Sequence, residues 1–157
     1  MEPTVVAAWW GAIIGSLVLL WDIYKWLKSG PILRITALPN MNYLGPEGEG
    51  YSKENTYIFV EATNVGNRKT TLTNLCGYYH ENLFKKITKQ KPKYSFVVAT
   101  PLSNQRIPYP LAPGEIWTGS ILQNEDVEKM VNEGFFYVGL AHSSSSKPVY
   151  KRVKKKK

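Results

Sequence analysis

Histidine and cysteine are nearly missing from this chain, whose 157 residues contain two of the first and one of the second. A lone thiol excludes the internal disulfide framework that supports many small secreted domains. Cys76, His80 and His142 also make a poor metal set, because residues four apart on a strand are ~13 Å apart and cannot share an ion. A Cys–His nucleophile pair meets the same distance, so Cys76 reads as a small buried hydrophobe. No glycine-rich loop leads into a helix to cradle a phosphate, and Gly45, Gly48 and Gly50 read as ordinary loop. The acids Glu47, Glu49, Glu125, Asp126 and Glu128 fall in loops or on one short predicted helix, as solvated surface. No metal, no cofactor and no catalytic activity are therefore expected.

Charge is missing in one place above all: Pro3 to Trp21 contains no ionisable side chain, and no proline follows Pro3 in that stretch. At ~1.5 Å per residue a helix over Val5 to Tyr24 covers about 30 Å, the thickness of a bilayer's hydrocarbon core. A helix satisfies all its backbone groups internally, as lipid demands. A cleaved signal peptide would want a basic start, a shorter run and a small-residue cleavage site, whereas this run leads into Asp22, Tyr24, Lys25 and Trp26. Trp9 and Trp10 near one end, with Trp21, Tyr24 and Trp26 near the other, form an aromatic belt. No Lys or Arg precedes the stretch, while Lys25, Lys28 and Arg34 follow it. The positive-inside rule places the N-terminus outside and the remainder in the cytoplasm, at the inner or plasma membrane. The absence of any Asn-x-Ser/Thr sequon agrees.

What is present in excess is positive charge, a formal +8, and it is unevenly placed. Lys147 to Lys157 contains seven basic residues and no acid, and without that segment the net charge is +1. Lys85, Lys86, Lys89, Lys91 and Lys93 form a second cluster. Beside an anionic leaflet, Lys151, Arg152, Lys154, Lys155, Lys156 and Lys157 would dock on acidic headgroups at about 1 kcal/mol per charge. Nucleic acid is a poorer partner, since the tail has only Tyr150 to stack on a base.

Within the apolar helix Ala7, Gly11 and Gly15 recur every four residues, with Ala8, Ala12 and Ser16 one position on. Such a stripe lets two helix backbones approach closely, which points to a homodimer or higher oligomer. The helix is expected to stop at Ser29, Gly30 and Pro31, with glycine suiting the cap. Beyond it β-type runs take over: 32–38, 56–63, 70–79, 94–99, 116–122, 135–142 and 148–153, about seven strands. Ile58, Val60 and Ala62 share a face, as do Phe136, Val138 and Leu140. Val149 and Val153 alternate with Tyr150 and Arg152, which suits a lysine-protected edge. One short helix is expected over 125–132, closed by Gly134. Long connections over 39–55 and 101–113 are where binding would reside. Three divisions result: a transmembrane helix and juxtamembrane segment (1–29), a β domain (30–153) and a basic tail (154–157).

The passage YIFVEATNVGNRKTTLTNL (57–75), with its Asn-x-Gly turn, and the later Leu111-Ala-Pro-Gly-Glu115 turn resemble small bacterial membrane-anchored proteins with an immunoglobulin-like antiparallel β-sandwich. The resemblance implies a fold and no chemistry, and the Cys–Trp–Cys signature of antibody domains is missing. The expected protein is mainly β, a single-pass membrane-anchored module that binds an unidentified protein partner. An alternative is a membrane effector of bacterial defence or phage origin, whose helices cluster to perturb the bilayer when the sandwich senses a ligand.

Overall fold

A computed structural model describes residues 2–44, 51–82 and 91–154. It divides into two compact units, Met1–Gly30 and Pro31–Lys157.

The first unit is one helix, α1 (Pro3–Lys28), entered through Glu2 with proline at its first turn, where a missing N–H costs nothing. Its stretch Pro3–Trp26 has a mean hydropathy of 1.9 and none of its apolar window is buried, so it is long and apolar enough to cross a membrane. The stop differs from expectation in one detail. Ser29, not glycine, forms the cap: its backbone N–H and its Oγ both donate to the Trp26 carbonyl, at 3.2 and 2.7 Å. The serine is in extended backbone, so no left-handed residue is needed there.

The second unit is built of β1 (Leu33–Asn42), β2 (Thr56–Asn64), β3 (Thr70–His80), β4 (Tyr94–Val98), β5 (Tyr109–Leu111), β6 (Ile116–Leu122), α2 (Glu125–Glu133), β7 (Phe135–His142) and β8 (Ser145–Arg152). All pairings are antiparallel. A small sheet has the order β1-β2-β6, and a larger one has the order β4-β3-β7-β8 with β5 beside β3. These are two separate sheets and not a closed barrel. Among the described residues eight strands replace the expected seven, because the 101–113 connection contains β5. Three residues with a proline in the middle carry no readable alternation, and such a strand is confined to an edge. β1 likewise runs on to Asn42, into the expected 39–55 connection.

The alternation read from sequence is the one that builds the core. Ile35 pairs with Ala62 and Ala62 with Trp117; Ile58 pairs with Ile121. These side chains meet Leu72, Leu75, Phe136, Val138 and Leu140 of the other sheet in one apolar cluster. Val127 and Val131, one turn apart on α2, close it at one end. The helix starts at Asn124, whose side chain accepts from the Val127 N–H at 3.0 Å. It ends at Gly134 for a packing reason, since a Cβ there would lie 2.5 Å from the Tyr79 ring.

Candidate functional site

Two turns singled out by sequence are neighbours in space and are joined by one residue. Asn64 ends β2 fully buried; its Nδ2 donates to the carbonyls of Arg68 at 2.8 Å and Leu111 at 3.1 Å, and its Oδ1 accepts from the Gly66 N–H at 3.1 Å. Its backbone carbonyl accepts from Gly114, whose φ of 80° is a left-handed conformation that glycine adopts without strain. Glu115 closes the second turn by accepting from the Ala112 N–H at 2.7 Å. This end of the unit is therefore rigidly knitted.

Farther along the small sheet the chain is opened instead of closed. β1 shifts register between Leu38 and Met41, with Asn40 at a left-handed φ of 56°. Asparagine tolerates that conformation better than other residues with a Cβ. Gln123 fixes it: its Oε1 accepts from the Asn40 N–H at 3.0 Å and its Nε2 donates to Asn40 Oδ1 at 2.7 Å. Beyond this bulge Met41, Asn42 and Tyr43 border a cleft of about 350 Å³. Tyr51, Tyr57 and Phe59 form its aromatic side, and Leu102 to Asn104 with Thr118 to Ser120 form the opposite side. Tyr43 stacks on Tyr51 with centroids 4.4 Å apart, and Tyr51 meets Tyr57 at 5.3 Å. Tyr51 donates its hydroxyl to the Leu102 carbonyl at 2.9 Å, so the ring stack is pinned across the cleft.

The opposite wall is held as firmly. Leu102 and Ser120 exchange backbone hydrogen bonds of 3.1 and 2.8 Å. The Ser103 hydroxyl donates to the Thr118 carbonyl, the Gln105 Oε1 accepts from the Thr118 N–H at 3.1 Å, and the Trp117 indole donates to the Gln105 carbonyl at 2.7 Å. Both long connections named by sequence thus converge on one cleft. None of its described lining residues carries a formal charge. A broader hollow of about 730 Å³ is formed by the 99–107 segment alone. The tyrosine cleft gathers five stretches of chain and is the better-built site.

The residues proposed from sequence fall elsewhere. Ala7, Gly11 and Gly15 lie exposed along α1, and a Cβ added at either glycine would meet nothing within 4 Å. Lys151 and Arg152 end β8 and Lys154 follows, all exposed, with Arg152 4.3 Å above the Phe135 ring. Lys155, Lys156 and Lys157 lie outside the described residues, as do Lys85, Lys86 and Lys89 and the acids Glu47 and Glu49. Lys93 is ion-paired with Glu81.

Cys76 is a free, buried thiol opposite Gly139 on the outer side of the large sheet. Beside it the Tyr78 hydroxyl is pushed well above its ordinary range, by burial first and then by Cys76 and Tyr150. His142 is buried, with Nδ1 3.1 Å from the Thr70 hydroxyl, which also meets the Ser144 hydroxyl at 2.9 Å. Among the described residues no three His, Cys, Asp or Glu side chains are grouped closely enough to hold a metal ion. Sequence reasoning placed binding in the long connections but did not single out Tyr43, Tyr51 and Tyr57. Their spacing mixes loop and strand and leaves no periodic signal.

No protein family, curated protein or solved structure matches this chain.

Proposed function

We propose that the chain is a single-pass membrane-anchored binding module whose N-terminus is outside and whose β domain, immunoglobulin-like in topology, lies in the cytoplasm. The observation that carries the proposal is α1: its tryptophans, leucines and isoleucines are exposed on every side, Trp9 at 67%, and a surface of that kind is stable in lipid and not in water. The immunoglobulin-like assignment is supported by strand order. With β5 left unlettered, β1-β2-β6 and the Leu102 bridge follow the A-B-E-D sheet, and β4-β3-β7-β8 follows the C′-C-F-G sheet, to which β5 adds a short pairing beside β3.

Recognition is the activity this architecture supports best. The tyrosine cleft offers large, pre-oriented rings with few rotatable bonds, the surface that anchors protein partners at low entropic cost. The lack of formal charge among its described lining residues suits a neutral segment of a partner protein. The exposed Lys151, Arg152 and Lys154 would add attraction to anionic headgroups. The topology is tested in intact cells with an impermeant thiol reagent, on single cysteines at the exposed Thr4 and Ser146, in a Cys76→Ser background. Labelling at Thr4 and protection at Ser146 is the expected result. Labelling at Ser146 with protection at Thr4 would reverse the orientation and remove the inner leaflet as the tail's partner.

A further inference from the structure

The outer strand of a sheet presents a row of backbone N–H and C=O groups without partners, and another strand will pair with it unless something blunts it. Among the described residues the outer strands are β1, β6, β8, β4 and the three-residue β5, which carries Pro110 at its centre, and they are treated differently. β1 carries Arg34, Pro39 and the register shift after Leu38. On the other side of the small sheet β6 is met by Leu102, bonded in both directions to Ser120. β8 carries Lys147, Pro148, Lys151 and Arg152. β4 has none of these devices. Its five residues, Tyr94-Ser-Phe-Val-Val98, include no charge and no proline, and their register with β3 is unbroken. Among the described residues no strand pairs with its far side. Val97 is 59% exposed, and Lys93, which directly precedes the strand, is ion-paired with Glu81.

We propose that the β4 edge is a self-pairing surface on which a second copy of this chain docks its own β4, antiparallel and about a two-fold axis near Phe96. The occupant follows from the chemistry of the edge. An identical neutral strand matches it in length and brings no like charge, and antiparallel pairing of identical strands is closed by two-fold symmetry. Ser95 of each copy then lies opposite Val97 of the other on the outer face, and the two large sheets become one. A single open edge ends in a dimer, whereas two open edges would propagate into a fibre. The protection of β8 is what limits the assembly. Two five-residue strands bury well under the ~1,200 Å² of a stable interface, so pairing is weak between molecules free in solution. Copies confined to one membrane meet at far higher effective concentration, and in this respect the inference rests on the membrane reading.

The test uses the full chain in isolated membranes, with Cys76→Ser and Ser95→Cys as the only thiol, treated with a short bismaleimide. A covalent dimer is expected, at least fivefold more abundant than from Lys151→Cys on β8. Adding Val97→Lys, which places two cations beside the two-fold axis at an exposed position, should cut the yield at least fivefold, while Val97→Thr should retain it. Gly11→Leu with Gly15→Leu should leave the band in place, because that change acts on the helix alone. Equal yields from Ser95→Cys and Lys151→Cys, indifference to Val97→Lys, loss of the band in the helix variant, or cross-linking of Ser95→Cys to a different protein would each overturn the proposal. Recovery of the chain in the soluble fraction would sink the membrane reading separately. The same reagents at rising protein concentration then decide β4 pairing: a Val97→Lys-sensitive dimer supports it, and its absence at the highest concentration overturns it.

Discussion

Ile13 in α1 and Ile58 in β2 are the same residue in opposite circumstances, the first 48% exposed and the second fully buried. The difference lies in pattern. Around α1 apolar residues occupy every direction, so no arrangement of this one helix could hide them from water. In the β unit they alternate with polar residues, and each sheet supplies the cover for the other. One unit reaches stability by folding against itself, and the other, on the reading proposed above, requires an apolar solvent. The two should therefore fail independently.

The largest effects come from crossing the two. Phe136→Ala empties a fully buried site beside Phe96, whose ring is stacked 6.0 Å away, and should cost about 3–5 kcal/mol. For a unit of this size that lowers the thermal midpoint by roughly 10–20 °C. Resistance to alkaline extraction from membranes should not change. Ile14→Arg should do the reverse, costing about 3 kcal/mol of insertion and emptying the extraction-resistant fraction, with the thermal midpoint intact. A lowered midpoint in Ile14→Arg would break the comparison, because it would mean that α1 is covered by protein.

A smaller effect is expected at Asn64. Its replacement by alanine strands the carbonyls of Arg68 and Leu111 and frees the Gly66 N–H, at a cost of about 1–3 kcal/mol. A urea midpoint measures it. Thr71→Ala, on β3 of the other sheet, serves as the reference and should change the midpoint little. If Asn64→Ala behaved like that reference, the two turns would be held by their backbones alone.

Asn64 also marks how far the sequence could be read. The Asn-x-Gly and Pro-Gly-Glu turns were legible one by one, because each depends on local backbone chemistry. That one asparagine joins them was not, since Leu111 lies 47 residues away in sequence. The strand faces of β2 and β7 were legible for the same local reason, the two-residue period. β5 was not, being three residues long with Pro110 at its centre. The cleft was legible only as two long connections. Its walls are made by Gln123 reaching Asn40, 83 residues apart, and by Tyr51 reaching Leu102, 51 apart, and no pattern along the chain encodes such pairs.

The smallest effect is a titration, and it separates the units by what they lack. Burial holds the His142 imidazolium below its ordinary pKa of about 6.5. As the pH falls through 6.5 the unfolded chain takes up a proton at this position before the folded one does, so the free energy of unfolding falls. The loss continues down to the folded pKa and then levels off. Urea midpoints between pH 7.5 and 5 should therefore decline, and His142→Gln, which keeps a side chain able to bond the Thr70 hydroxyl, should flatten the slope. An unchanged slope would mean that His142 is as wet when folded as when unfolded. Membrane retention should be level over the same range, because Pro3 to Trp21 contains nothing to titrate. A pH-dependent release from the membrane that His142→Gln abolished would show that the two parts are coupled after all.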